Sequence, residues 1–370
     1  MLRVLMAIRA RQGATAEILA CFDDAALVSA ALRFERELAA ALAEHGVIDR
    51  TAADAVARAC DAFDPSGLDE AAAHAGTLAI PIAERLRATA PDAHRGATSQ
   101  DLADTALALQ VAAARPLVDG ELARIADALA ALAAHHARTP VVGRTLLQPA
   151  DITTLGARFA SWMLGIDAAR DRLAGEQLPL QFGGAVGTLA ALGDHAAAVR
   201  ASLAARLGLA DSLSWHGRRD AVAALGCAVA IAIGAVGKLA RDVSLLMQLG
   251  ELAEPRVAGR GGSSAMPHKH NPTGCGIALS AAIRAPQLAA TLVAAMPQEL
   301  ERGIGGWQAE APVVAELFEL AHGAARAMRD VIDGLAISVP ALDAPDDAVA
   351  AGERYVIEAL GTRSRRGPAA

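Results

Sequence analysis

One run of sequence restricts this chain more than any other. "TSQDLADTALALQVAAARPLVDGELARIADALAALAAHHAR", from Thr98 to Arg138, is almost wholly Ala, Leu and well-spaced charge. It has no alternation of the strand type, and Pro116 is its only proline. Thr98 or Ser99 can cap it, and Asp101 falls in the first turn, where a negative charge suits the helix dipole. A helix of this length spans about 60 Å, more than a compact small domain can enclose. Such a chain must be built from long, side-by-side helices. Aromatic residues make up only 3% of it, so the core is Ala, Leu and Val, and helices can approach closely. Pro116 is expected to kink the long helix or divide it in two.

Further helical runs follow the same pattern. Val28, Leu32, Leu38 and Leu42 recur at helical spacing in a segment that Gly46 stops. Others are expected over about Ile152–Leu173 and Asp220–Leu252, after Pro272, and through "APVVAELFELAHGAARAMRDVIDGL". No strand pair and no solenoid repeat is evident, so the fold class is all-α. The net charge of −7 argues against a nucleic-acid partner. Cys21, Cys60, Cys227 and Cys275 have no metal-type spacing, and Cys60 and Cys227 read as buried thiols of a reduced, cytoplasmic protein. The opening "MLRVLMAIRARQG" is too short and too rich in arginine for a targeting segment. No stretch reads as a membrane span. The nearest, Leu225–Gly237, reads as a core helix.

Polar, Gly-rich text is confined to the breaks. The longest is 254–272, ending in "GGSSAMPHKHNP". Gly259, Gly261 and Gly262 let the backbone approach a ligand. Ser263 and Ser264 supply hydroxyls and N–H groups, Lys269 a cation and Asn271 a donor. Pro272 can open the next helix. Together they form an anion-binding loop beside a helix N-terminus, and the glycines make it a candidate lid. His268 and His270 lie two apart with no third ligand in view, so no metal site is expected. His135 and His136 read as surface residues. Trp307 either walls the site or packs in the core.

"GSSAMPHKHNP" resembles the signature of the fumarase/aspartase superfamily, with "HRGATSQDLADTAL" and "VGRTLLQPADITTLG" similar to its two other motif regions. "LPLQFGGAVGTLAALGD", "WHGRRD", "GKLARDVSLLMQ" and "ERGIGGWQAE" resemble its cycloisomerase family. That family closes 3-carboxy-cis,cis-muconate to 4-carboxymuconolactone in the protocatechuate branch of the β-ketoadipate pathway. The resemblance implies an all-α subunit in a homotetramer with a central helix bundle. It also implies active sites shared between subunits, a small tricarboxylate substrate and no cofactor. Ser263 takes the proton-transfer role. Lys269, Asn271, Arg302, Thr98, Ser99, Thr145 and Gln148 take substrate-binding roles. His94 matches a motif position. His216 either joins the site or orders its loop with Arg219 and Asp220.

Two departures stand out. The hydratases and amine lyases of the superfamily carry a His where this chain has Leu146. Those enzymes must protonate a poor leaving group, whereas a cycloisomerase uses a substrate carboxylate that is already ionised, with a pKa of about 4. Leu146 therefore counts against an adenylosuccinate lyase, the next enzyme to consider. A non-catalytic structural relative would have no need of Ser263, Lys269 and Asn271. The expected organisation is an N-terminal helical domain over 1–96 and a central long-helix domain over 97–337. A short tail over 338–370 stands in place of most of the family's further helical domain. With Arg363, Arg365 and Arg366, the tail's end is expected to fray.

Overall fold

A computed structural model describes residues 13–263, 265–266 and 268–365. Ser264, Arg366 and the opening segment 1–12 lie outside the described residues. The chain is all-α apart from two small antiparallel strand pairs. Among the described residues five helices come first: α1 (Ala16–Phe22), α2 (Asp24–Glu44), α3 (Arg50–Asp61), α4 (Leu68–Ala75) and α5 (Ala79–Arg87). The long helix α6 (Ser99–His135) follows, with α7 (Leu155–Gly175), α8 (Ala196–Leu207), α9 (Asp220–Gln248), α10 (Thr273–Ala294), α11 (Gly306–Asp333) and α12 (Asp346–Ser364).

Two hydrophobic cores organise these elements. The larger lies among α6, α7, α9, α10 and α11, with Leu122, Ile125, Phe159, Met163, Val229, Ile233, Leu317 and Phe318 at its centre. The smaller joins α2 to α5 with the start of α6 and with α8, around Phe34, Leu38, Leu102, Phe182 and Leu203. Close helix approach, expected from the small residues, is realised at glycines. A Cβ at Gly237 would lie 2.6 Å from Ala282 Cβ across the α9–α10 contact. A Cβ at Gly156 would lie 2.6 Å from both Ala133 O and Ala137 Cα, in backbone that cannot move aside. Gly156→Ala is therefore expected to cost about 1–3 kcal/mol by forcing α7 away from the end of α6. A lowered urea midpoint checks this, and an unchanged midpoint contradicts it.

The structure corrects several expectations. Pro116 does not divide α6, which runs unbroken for 37 residues. The proline is exposed, as is Ala112, so the carbonyl it leaves unpaired faces water. The second motif region begins with a hairpin, β1 (Pro140–Thr145) and β2 (Gln148–Thr154), with a register shift between Val142 and Arg144. Its mixture of Gly, Pro and charge hides the pairing from a periodicity reading. A two-strand sheet tolerates Pro149 because both strands are edges. A second short pair joins β3 (Leu252–Ala253) to β4 (Ala336–Ile337).

Most of the tail forms the 19-residue helix α12, and of the three arginines expected to fray Arg363 lies within it. Val349, Gly352, Val356 and Ala359 are its buried residues, at spacings of one helical face, and it packs on α7 and β2. Arg363 fixes its last turn by donating to Ala126 O (3.1 Å) and pairing with Asp127 and Asp167. All four cysteines are free, but Cys227 is only half-buried. By length and composition, α9 and α10 would each suffice to cross a membrane, contrary to the sequence reading. In the most apolar window of α9, 61% is buried within the chain, but in that of α10 only 28% is. The outer face of α10, with Ile283 and Val293, is left uncovered by this chain.

Candidate active site

The N-terminus of α6 is the best-organised polar region. Thr98 and Asp101 form a capping box. Asp101 is fully buried and accepts five N–H donors. Its Oδ1 receives Gln181 Nε2 (3.0 Å), Gly183 N (2.9 Å) and His216 Nε2 (2.8 Å). Its Oδ2 receives Gly184 N (2.9 Å) and Thr98 N (3.0 Å). An acceptor so fully engaged is a carboxylate, and it makes His216 a donor through Nε2. The other His216 nitrogen, Nδ1, is sealed and unpaired among the described residues.

Beneath this lies a buried ion cluster. Arg219 holds Asp104 at 2.7 and 2.9 Å and also pairs with Glu310. It lies 4.6 Å from the Trp215 ring centroid. Burial works against its charge, but the Glu310 and Asp104 carboxylates outweigh it and hold the guanidinium above its usual range. Arg219 thus pairs with α6 and α11, not with Asp220. His216 orders its loop through Asp101 and stands directly below the start of α6.

Thr98 and Ser99 are half-buried at that helix end, and Arg302 donates to Thr98 Oγ1. The unpaired N–H groups of a 37-residue helix and an exposed guanidinium make a place for a carboxylate. Four residues upstream, His94 is held by Glu35. The two Glu35 oxygens take the His94 backbone N–H (2.8 Å) and Nδ1 (2.5 Å). His94 has a φ of 60°, a left-handed conformation that these two bonds stabilise. Trp307 is half-buried in the first turn of α11.

Two other groups lie at the opposite end of the bundle. The hairpin turns at Leu146 and Leu147, with φ of 51° and 64°, a two-residue turn of the type that usually takes Asn-Gly. Both leucines project into solvent, 97% and 73% exposed, and Thr145 and Gln148 flank them. Arg144 ties the hairpin to Glu251 (2.6 Å) at the end of α9.

The signature loop leaves the same end. Buried Glu254 closes its base by accepting Gly274 N (3.1 Å) and Cys275 N (2.8 Å), the first amides of α10. Asn271 N donates to Gly261 O (2.7 Å), and Pro272 sits one residue before the helix. Ser263 Oγ accepts from Met266 N (3.1 Å) and Ala265 N (3.4 Å). Arg256, Arg260, His268, Lys269 and His270 line a cavity of about 380 Å³ in this loop. It is an anion-attracting surface, because three of these five side chains, Arg256, Arg260 and Lys269, are cations.

The structure therefore gathers His94, Thr98, Ser99, His216 and Arg302 at one end. It places Thr145, Gln148, Ser263, Lys269 and Asn271 at the other. Helix α9 separates the ends by about 42 Å. Sequence reading missed Glu35, Asp104, Gln181, Glu254 and Glu310, and took Asp101 only as a first-turn charge. The spacing of Asp101 and Asp104 on one helix face was the available signal.

A family model described as lyase matches residues 11–286. The chain belongs to the lyase family. This lyase is 45% identical over 334 residues to the 3-carboxy-cis,cis-muconate cycloisomerase of Pseudomonas aeruginosa, covering 86% of this chain and 73% of that one. It is 39% identical over 341 residues to nitrosuccinate lyase of Streptomyces davaonensis, covering 86% and 72%. The crystal structure of the 3-carboxy-cis,cis-muconate lactonizing enzyme from Pseudomonas putida superimposes with a TM-score of 0.82 at 36% identity. It covers 95% of this chain and 79% of that one.

Proposed function

We propose that this lyase is a 3-carboxy-cis,cis-muconate cycloisomerase acting in the protocatechuate branch of the β-ketoadipate pathway. The observation that carries the reading is the pairing of a complete signature loop with Leu146 at the hairpin tip. That tip has no group able to protonate hydroxide or an amine as it leaves. Lactonisation needs none. One substrate carboxylate attacks the diene, a C–O bond forms, and the displaced electron pair rests on a neighbouring carboxylate as an enediolate. A proton then adds to carbon. Lys269, Asn271 and Arg302 hold the carboxylates, and the N-terminus of α6 receives another through Thr98 and Ser99. Thr145 and Gln148 complete the polar contacts. Ser263 delivers the proton. No cofactor is required, and four free thiols suit a cytoplasmic protein.

A substrate only a few ångströms long cannot touch groups gathered at the two ends of a helix about 42 Å long. The site is thus composed from different subunits of a homotetramer, with the uncovered face of α10 in its central bundle. The hairpin tip supports the same arrangement, since two exposed leucines in left-handed backbone cost about 1–3 kcal/mol each and gain nothing in a monomer. Replacing Leu146-Leu147 by Asn-Gly is expected to relieve that strain, weaken assembly and make activity fall on dilution. Light scattering that shows an undiminished tetramer with full activity on dilution contradicts this.

The function is tested by following the ultraviolet absorbance of the conjugated diene with purified enzyme, with nitrosuccinate and adenylosuccinate as parallel substrates. Loss of the diene alone supports the reading. Turnover of either other substrate without loss of the diene overturns it.

A further inference from the structure

At neutral pH the substrate of the proposed reaction is a trianion and the lactone a dianion. The carboxylate that becomes the ring oxygen loses its charge, and the carbon gains a hydrogen. Each turnover therefore takes one proton from water. A serine hydroxyl that gives up its proton must be reloaded, and it does not titrate near neutral pH. A group that can take a proton from water and pass it on has to stand between the site and solvent.

His94 has the geometry for this. It is 9% exposed, and its Nε2 has no protein partner among the described residues, yet it is not among the sealed polar atoms. Its other nitrogen is fixed by Glu35, which is 1% exposed and comes from α2, outside all three motif regions. The Glu35 carboxylate can only accept. One oxygen takes the His94 backbone N–H, which can only donate, and the other must then receive a proton from Nδ1. The remaining titratable neighbour on α3, Cys60, stays a neutral thiol, since burial and the charge of Glu35 push it up to about 11.

We propose that Glu35 is a positioning residue that keeps a proton on His94 Nδ1 in every protonation state, so that Nε2 is the nitrogen that exchanges protons with water on one side and the reacting groups on the other. The catalytic part of this rests on the cycloisomerase reading. The tautomer does not.

The test is Glu35→Gln. The amide is nearly isosteric and can keep both hydrogen bonds, but only in one orientation. Its oxygen must accept the backbone N–H, so its NH₂ faces Nδ1, which must then be the unprotonated nitrogen. The proton is trapped on Nε2, and the ring cannot cycle without breaking a buried bond. Nitrogen-15 NMR with labelled histidine reads this directly, the His94 signals being those lost in a His94→Gln variant. Wild type is expected to show Nδ1 protonated. Glu35→Gln is expected to show Nε2 protonated and Nδ1 bare. Its unfolding midpoint should be near that of wild type, with KM within a few-fold and kcat down by about 10²-fold or more. Glu35→Ala, which loses both bonds, should lower kcat and the unfolding midpoint together.

Nδ1 remaining protonated in Glu35→Gln overturns the proposal. So does an inverted tautomer with unchanged kcat. If wild type leaves the muconate untouched, the functional reading fails, while the NMR comparison still decides what Glu35 does to His94.

Discussion

Ser263→Ala is expected to lower kcat on 3-carboxy-cis,cis-muconate by about 10²–10⁴-fold, with little change in KM. The reason lies in what surrounds the hydroxyl. Ser263 Oγ accepts two backbone N–H groups, from Ala265 and Met266. Those donors stabilise the oxygen most when it has lost its proton, so they lower the cost of donating that proton to the enediolate carbon. Closure of the Gly-rich loop would strengthen them further by removing water. Both bonds are lost in the Ala variant. The loop is partly exposed, however, and the cost to stability is about 1 kcal/mol or less. A large fall in kcat with a nearly unchanged unfolding midpoint is therefore expected. Ser263→Thr, which keeps the hydroxyl, should recover part of the rate. Full activity in Ser263→Ala would move the proton to another donor, with His94 next to be replaced.

Arg219→Met is expected to show the largest effect on stability, about 3–5 kcal/mol. The side chain is fully buried between Asp104 on α6 and Glu310 on α11. Removing it leaves two carboxylates sealed together without a counter-charge. The effect should be strongly non-additive. Arg219→Met combined with Asp104→Asn and Glu310→Gln should be less destabilised than the single variant, because no uncompensated charge remains. Denaturant midpoints measured at one protein concentration read the difference. Equal destabilisation in the single and triple variants would show that Arg219 acts by packing on Trp215 instead.

Much of this molecule is legible in its sequence, for identifiable reasons. The long helices show because Ala and Leu recur at helical spacing, and the start of α6 shows because Thr98 and Asp101 stand three apart. The signature loop shows because so many polar residues crowd one Gly-rich break. The hairpin is hidden because its turn is Leu146-Leu147, residues that carry no turn signal and adopt left-handed backbone only under constraint. Helix α12 is masked by its arginines, although Val349, Gly352, Val356 and Ala359 do carry the period. The polar networks are hidden for another reason. Asp101 meets His216 across 115 positions, and Glu35 meets His94 across 59, and no local pattern encodes either meeting. The motifs name the site residues, but they do not disclose that α9 holds two groups of them at opposite ends.

Lactonisation itself is best tested by recording diene loss and proton uptake in the same lightly buffered reaction. Lactonisation consumes one proton for each diene lost and gives the lactone as product. Diene loss without proton uptake would mean that water, not a substrate carboxylate, adds to the double bond, and would contradict it.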